Sequence, residues 1–195
     1  MEPGDIELVT LAKAAQDGRA FATLVRRHQA RLRAFLIRLS GDAALADDLA
    51  QEAFMKAHAG LGGFRGGASF RSWLYAIAYR EFLQDARRTK AAARLEDALQ
   101  ENPGGDPSGG ALEAGLSLDL RRALAGLEEM ERASILLCDA AGFSQAEAAA
   151  ALSAPLGSVK TYVARAREKM RGALTAETAP VMPARKPIEG EPYAV

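Results

Sequence analysis

An all-α chain of two small helical domains joined by a flexible linker, the second carrying a helix-turn-helix, is predicted by three features of these 195 residues. Aromatic residues make up only 6% of a chain that is 49% hydrophobic, and abundant alanine supplies helix propensity with little bulk, which favours closely packed helices. Apolar residues recur at helical spacing on both sides of a Pro, Gly and acid-rich stretch at residues 100–115. Beyond it come a capping signal, a three-residue turn and a basic helix.

From Asp5 the chain reads as helix, with Ile6, Val9 and Leu11 as its apolar positions and Gly18 as its stop. The next segment carries Phe21, Leu24, Val25, Leu32, Phe35, Leu36 and Leu39 close to helical spacing, and Ser40-Gly41 ends it. Residues 42–61 repeat the pattern with Leu45, Leu49, Ala53 and Phe54, and their acids are expected in the early turns, where the helix dipole favours them. Five glycines in residues 60–70 forbid continuous helix there. Ser69 is placed to cap the following helix, which the pattern carries to about Arg88. These readings divide the chain into a first domain at 1–95, a linker at 96–115, a second domain at 116–174 and a proline-bearing, disordered tail at 175–195.

The second domain opens with two helices broken near Gly126. Ser144 followed by Glu147 forms a capping box for a helix ending near Leu152. Ser153-Ala154-Pro155 is the turn, and Pro155 suits the first turn of the next helix. In that helix Val159, Tyr162 or Val163, Ala166 and Met170 face inward, which leaves Lys160, Thr161, Arg165, Arg167, Lys169 and Arg171 outside. Polar residues early and cations later suit a helix entering the major groove, with Ser158 and Lys160 as base-edge candidates and Arg165 as a phosphate or edge contact.

The formal net charge of +0 conceals segregation. Residues 19–94 hold 14 Lys or Arg against 6 Asp or Glu, residues 158–172 hold five against one, and residues 95–115 hold five acids and no base. Two basic lobes flank an acidic connector, as expected of a protein that grips nucleic acid at two places. Cys138, the only cysteine, excludes an internal disulfide and reads as a buried structural thiol. No metal or other cofactor is expected, and the acidic N-terminus has no secretion-signal pattern, so a cytoplasmic location without membrane insertion is expected. Asp48 and Glu52 lack the convergent pocket of a catalytic carboxylate pair, His28 and His58 read as surface or packing residues, and no enzymatic activity is predicted.

Four motifs then line up: "DDLAQEAF", "FRGGASFRSWL", a helix ending in Arg87-Arg88, and "GSVKTYVARAR". In this order they resemble the second and fourth conserved regions of bacterial extracytoplasmic-function (ECF) sigma factors of the sigma-70 superfamily, which direct RNA polymerase to promoters. The resemblance spans about residues 15–174. It implies that Asp47, Asp48, Leu49, Gln51, Glu52 and Phe54 lie on a helix docking against the clamp coiled coil of core polymerase. It implies that residues 64–79 read and melt the −10 element and that the second lobe reads the −35 element in duplex DNA. Within that stretch helix spacing assigns Phe70, Trp73, Leu74 and Ile77 to the core. Phe64, Arg65, Arg71, Tyr75 and Arg80 are left to face DNA, including an unstacked nontemplate base, while Arg87 and Arg88, with Lys90 nearby, hold phosphate. An anti-sigma partner is also implied.

The sequence departs from the family pattern at "IAYREFLQD", where Tyr79, Arg80 and Gln84 stand in place of the usual Asn-containing motif, and at Ala148, Ser153 and Tyr162-Val163. These departures leave the promoter sequence open. They also motivate an alternative, a sigma-like adaptor that binds a protein partner without initiating transcription. An ordinary two-domain repressor is a further alternative, though it has no need of the acidic docking helix.

Overall fold

The computed structural model describes residues 3–15, 18–99 and 117–176, and all their regular structure is helical. The first lobe comprises α1 (Asp5–Ala15), α2 (Gly18–Ser40), α3 (Ala43–Gly60), a 3-10 turn (Leu61–Gly63) and α4 (Phe70–Leu99). The second comprises α5 (Leu118–Ala125), α6 (Glu129–Ile135), which widens into a π turn (Leu136–Ala140), α7 (Gln145–Leu152) and α8 (Leu156–Ala176).

In the first lobe α2 packs on α3, α3 on α4, and α1 on α2. Leu24, Leu32, Leu36, Leu39 and Leu74 have no exposed surface, so these helices close on a leucine core. Gly41, at φ +78°, ends α2, and Asp42 caps α3 by accepting from the amides of Ala44 and Leu45. Asp47 and Asp48 lie beyond the first turn of α3, so the favourable negative charge at that helix start is the cap itself.

Two boundaries and the buried face of one helix differ from the sequence reading. Gly18 opens α2. On α1 the buried pair is Leu8 and Val9, while Ile6 and Leu11 are 75% and 51% exposed. The cause is Asp5, whose carboxylate bonds Arg27 at 2.6 Å and His28 at 2.7 Å on α2 and thereby sets the rotation of α1. Finally, α4 runs to Leu99, because Ala91-Ala92-Ala93 and the following Arg, Leu and Glu are strong helix formers with no breaker among them. The linker expected from residue 96 therefore begins in helix; its remainder and the tail after Ala176 lie outside the described residues.

The second lobe is held by α8, which packs on α5, α6 and α7 through Val159, Val163 and Ala166. Between Tyr162 and Val163, the latter is the core residue and Tyr162 is half-buried. Ser144 and Glu147 make the expected reciprocal cap, and α7 ends at Ser153 in the left-handed conformation, φ +52°. Glu131, 1% exposed on α6, accepts from Lys169 of α8 at 2.6 Å and from the Glu128 amide, and the Lys169 bond foremost holds its carboxyl below the usual range. Cys138 is half-buried in the π turn, and burial pushes its thiol pKa up.

The lobes are not apart. Helix α7 lies on α4, the π turn lies on α2, and the apolar cores run into one another. Arg132 crosses the junction to the Leu39 carbonyl at 3.0 Å.

Candidate polymerase and nucleic-acid interfaces

Helices α2 and α3 leave an open groove of about 780 Å³ along their outer seam. Phe21, Val25 and Phe54 give it an apolar floor, and Asp47 and Gln51 stand at its edge. Arg33 of α2 forks onto Asp47 at 2.5 and 3.2 Å, which lowers the Asp47 pKa, chiefly through that hydrogen bond. The six expected docking residues divide by depth. Asp47, Asp48 and Gln51 are exposed, Phe54 is a groove wall, and Leu49 is a core residue. Glu52 turns toward α4, where Lys56 bridges it at 3.4 Å to Glu81 at 2.5 Å. Sequence periodicity missed Met55, 51% exposed, and His58, set edge-on to Phe21; both line the groove. An exposed methionine next to an acidic helical edge is the signal that marks them.

At the second lobe, Lys160, Thr161, Arg165 and Arg167 are exposed on α8 and Ser158 is half-buried at its start. Thr161 Oγ1 donates to the Gly157 carbonyl at 3.1 Å, so its hydroxyl is engaged within the helix. Arg167 forks onto Asp139 of the π turn at 2.9 and 2.7 Å. Arg165 also lies within electrostatic reach of the Glu131 carboxylate, whose pKa it helps to lower.

The long helix and its preceding loop carry the remaining candidates. Ser69 Oγ accepts from the Ser72 amide at 3.1 Å and caps α4, as expected. Phe64 is 9% exposed, packed on Phe70 and Trp73, with its carbonyl held by Lys13 of α1 at 2.8 Å. Phe64 therefore anchors the loop in the core instead of facing DNA as expected; Arg65 beside it is exposed. Arg80, Arg87 and Arg88 are exposed along α4.

Arg71 and Tyr75 differ from the open aromatic face that DNA contact requires. Tyr75 is 1% exposed between Phe35 and Phe143, and burial pushes its hydroxyl pKa up to about 12. Arg71 lies over the Phe143 ring, 4.1 Å from its centroid, and donates to the carbonyls of Ala141 and Gly142 at 3.2 and 3.3 Å. One helical repeat further on, Tyr79 donates to Glu129 at 3.3 Å and to the Met130 sulfur at 3.1 Å. The second lobe covers this stripe, a relationship invisible to a reading that keeps the lobes separate. Position 143, just before a helix cap, ordinarily signals a staple to its own helix.

The fold and these surfaces can be set beside known proteins. Residues 24–101 match the Sigma-70 region 2 family and residues 117–170 match Sigma-70, region 4. Over 171 residues, covering 87% of this chain and 84% of the relative, the sequence is 36% identical to the ECF RNA polymerase sigma factor SigM of Mycobacterium tuberculosis. The chain belongs to the ECF sigma factors.

The ECF RNA polymerase sigma-E factor of Escherichia coli K12 is a further relative, 35% identical over 168 residues, with 78% of this chain and 85% of that one covered. Among solved structures, the sigma factor RpoE of Bartonella quintana, in complex with the anti-sigma factor NepR, superposes with a TM-score of 0.68 at 31% identity over 80% of this chain and 98% of that one. CnrH, in complex with the cytosolic domain of CnrY, gives 0.66 at 30% identity over 89% and 97%. As an ECF sigma factor the protein binds RNA polymerase and promoter DNA and directs transcription initiation; it is not an enzyme. The adaptor and repressor alternatives give way to this membership. Among the described residues no helix is long and apolar enough to cross a membrane.

Proposed function

We propose that this sigma factor divides its work among three surfaces. The α2–α3 groove takes the clamp of core polymerase. Its apolar floor supplies affinity through Phe54, Phe21 and Met55, and Asp47, Asp48 and Gln51 set orientation against a basic rod. Leu49 and Glu52 act one layer back, by packing and by the Lys56–Glu81 bridge. The loop before α4 and the exposed side of α4 bind melted nontemplate strand through Arg65 and Arg80, joined by Arg71 and Tyr75 once the second lobe that covers them has moved, while Arg87 and Arg88 hold phosphate. The start of α8, through Ser158, Lys160, Thr161, Arg165 and Arg167, reads duplex upstream. Two modest DNA contacts joined on one polymerase reinforce each other through effective concentration.

The observation that carries this reading is the open groove where three of the six docking residues meet an apolar floor, because a sigma factor must hold polymerase before it can select a promoter. RpoE was solved bound to the anti-sigma factor NepR and CnrH bound to the cytosolic domain of CnrY, and we extend the first of these to this chain as an anti-sigma partner that covers the groove in the cytoplasm. Run-off transcription from a genomic fragment library, with permanganate mapping of unpaired thymines, tests the division. Expected are discrete transcripts with melted thymines near their starts, lost with Arg71→Ala and retained with Arg26→Ala, a substitution at an exposed α2 position that does not line the groove. Transcripts that survive every α4 and loop substitution would remove the melting surface from this helix.

A further inference from the structure

We propose that Phe143 is an intramolecular substitute for an unstacked DNA base, delivered by the second lobe into the strand-binding stripe of α4, so that the free chain blocks its own single-strand site. The proposal rests on the reading of Arg71 and Tyr75 as strand-contacting residues.

Three observations converge on the same place. The first is the form of the contact. The Arg71 guanidinium lies over the Phe143 ring, 4.1 Å from its centroid, and Tyr75, tilted by 53°, flanks it at 4.9 Å; arginine and an aromatic side chain are the groups that hold an unstacked base. The Phe143 ring is only 4% exposed, so it occupies the space fully.

The second is the hydrogen bonding. Among the described residues Arg71 is bonded to no carboxylate; its N–H groups go to the Ala141 and Gly142 carbonyls, which arrive with the ring. A nucleotide offers the same pair of features, a π face flanked by oxygen acceptors. Gly142, at φ +70°, makes the turn that brings carbonyls and ring in together.

The third is the extent of the cover. Residues 71, 75 and 79 stand four apart on one face of α4, and all three are satisfied by the second lobe, the last through Glu129 and Met130. The seam is polar at both ends, with a half-buried arginine at one and a tyrosine hydroxyl at the other. Those polar end contacts exchange for water when the lobes part, whereas the apolar cores meet between them, so whatever holds the lobes apart has to offset that apolar contact. Binding that holds the lobes apart withdraws Phe143 and frees the stripe in the same motion.

The test uses the full chain. A fluorescein-labelled, mixed-sequence single-stranded 12-mer is titrated with wild type, Phe143→Ala and Phe143→Leu, the second keeping an apolar side chain while removing the ring. Spin labels at Thr89→Cys and Ala146→Cys, both exposed positions, in a Cys138→Ser background, report lobe separation by electron spin resonance. Circular dichroism checks that each variant is folded. The expected result is a broader, longer distance distribution and oligonucleotide binding about fivefold tighter or more, because the competent fraction rises. Adding Arg71→Ala to Phe143→Leu should abolish the gain. Unchanged distances and unchanged affinity in folded Phe143→Leu overturn the proposal, as does a gain that persists without Arg71. The underlying reading is tested separately by Arg71→Ala in the polymerase complex: lost thymine reactivity there, with no effect of Phe143→Leu on the free chain, discards the base substitute alone. Intact thymine reactivity discards the reading beneath it.

Discussion

Lys13 on α1 donates its Nζ hydrogen to the backbone carbonyl of Phe64 at 2.8 Å, joining residues 51 apart in sequence. The bond ties the first helix to the glycine loop at the point where the chain turns toward α4. Lys13→Met should slow promoter opening by about fivefold, the value of roughly 1 kcal/mol for one such bond. Core affinity should be unchanged, and Lys13→Arg should restore opening. Permanganate time courses on the polymerase complex read the first quantity and competition binding the second. Parallel loss of both would make α1 a folding element only.

The α3 face separates rim from core. Asp48→Arg should weaken polymerase binding mainly through slower association and make it less salt-sensitive, without changing stability, because Asp48 is exposed. Leu49→Ala, at 6% exposure, should lower unfolding free energy by about 2–5 kcal/mol. Stopped-flow binding at two ionic strengths and urea denaturation distinguish them. A stability loss from Asp48→Arg matching that of Leu49→Ala would contradict the assignment of depth.

On DNA, Lys160→Ala should alter discrimination between upstream sequences by about 1–3 kcal/mol at one or two positions. Arg87→Ala should weaken several promoters alike and reduce the salt slope by about one. Competitive transcription from a randomised upstream library measures both. Equal, sequence-independent losses from the two substitutions would reject the division between reading and gripping.

The Glu131–Lys169 pair predicts an acid limb to stability. The folded carboxyl has a lowered pKa, so its stabilisation is full above the unfolded value, 4.5, and is lost as pH falls through the lower folded value. Urea midpoints for wild type and Glu131→Gln should therefore converge as the pH falls below the ordinary glutamate range. A gap that stays constant through that fall would assign the residue's effect to packing.

Ser153 occupies a left-handed backbone position that glycine adopts without steric cost. Ser153→Gly removes that strain but gives the unfolded chain more freedom, so the expected gain is between zero and about 1 kcal/mol. Thermal melting of the full chain decides its sign. A clear loss would show that the serine hydroxyl contributes at the turn.

Much of this architecture was legible before any coordinates. Ser144 and Glu147 announced α7, Ser40-Gly41 closed α2, and Val159 and Ala166 marked the buried face of α8, with the choice between Tyr162 and Val163 left to the packing, because each signal acts within one or two helical turns. What escaped was set at long range. The rotation of α1 depends on Asp5 finding Arg27 and His28, more than twenty residues away. The burial of Tyr75 depends on Phe143 in the other lobe, and no periodicity within α4 can encode that. The same holds for the groove: Asp47 and Gln51 were readable as a helix edge, but Arg33 and Phe21 join them only through the packing of α2 on α3.

The 30 residues of α4 make a rod about 45 Å long, of which the last eleven residues continue past Arg88. The chain that leads to the second lobe thus departs from the tip of a boom. Removing one residue from that boom would both swing and retract the departure point, by about 100° and 1.5 Å. Tolerance of the distance between the two promoter elements should accordingly be phased with the helical repeat for deletions before Leu99.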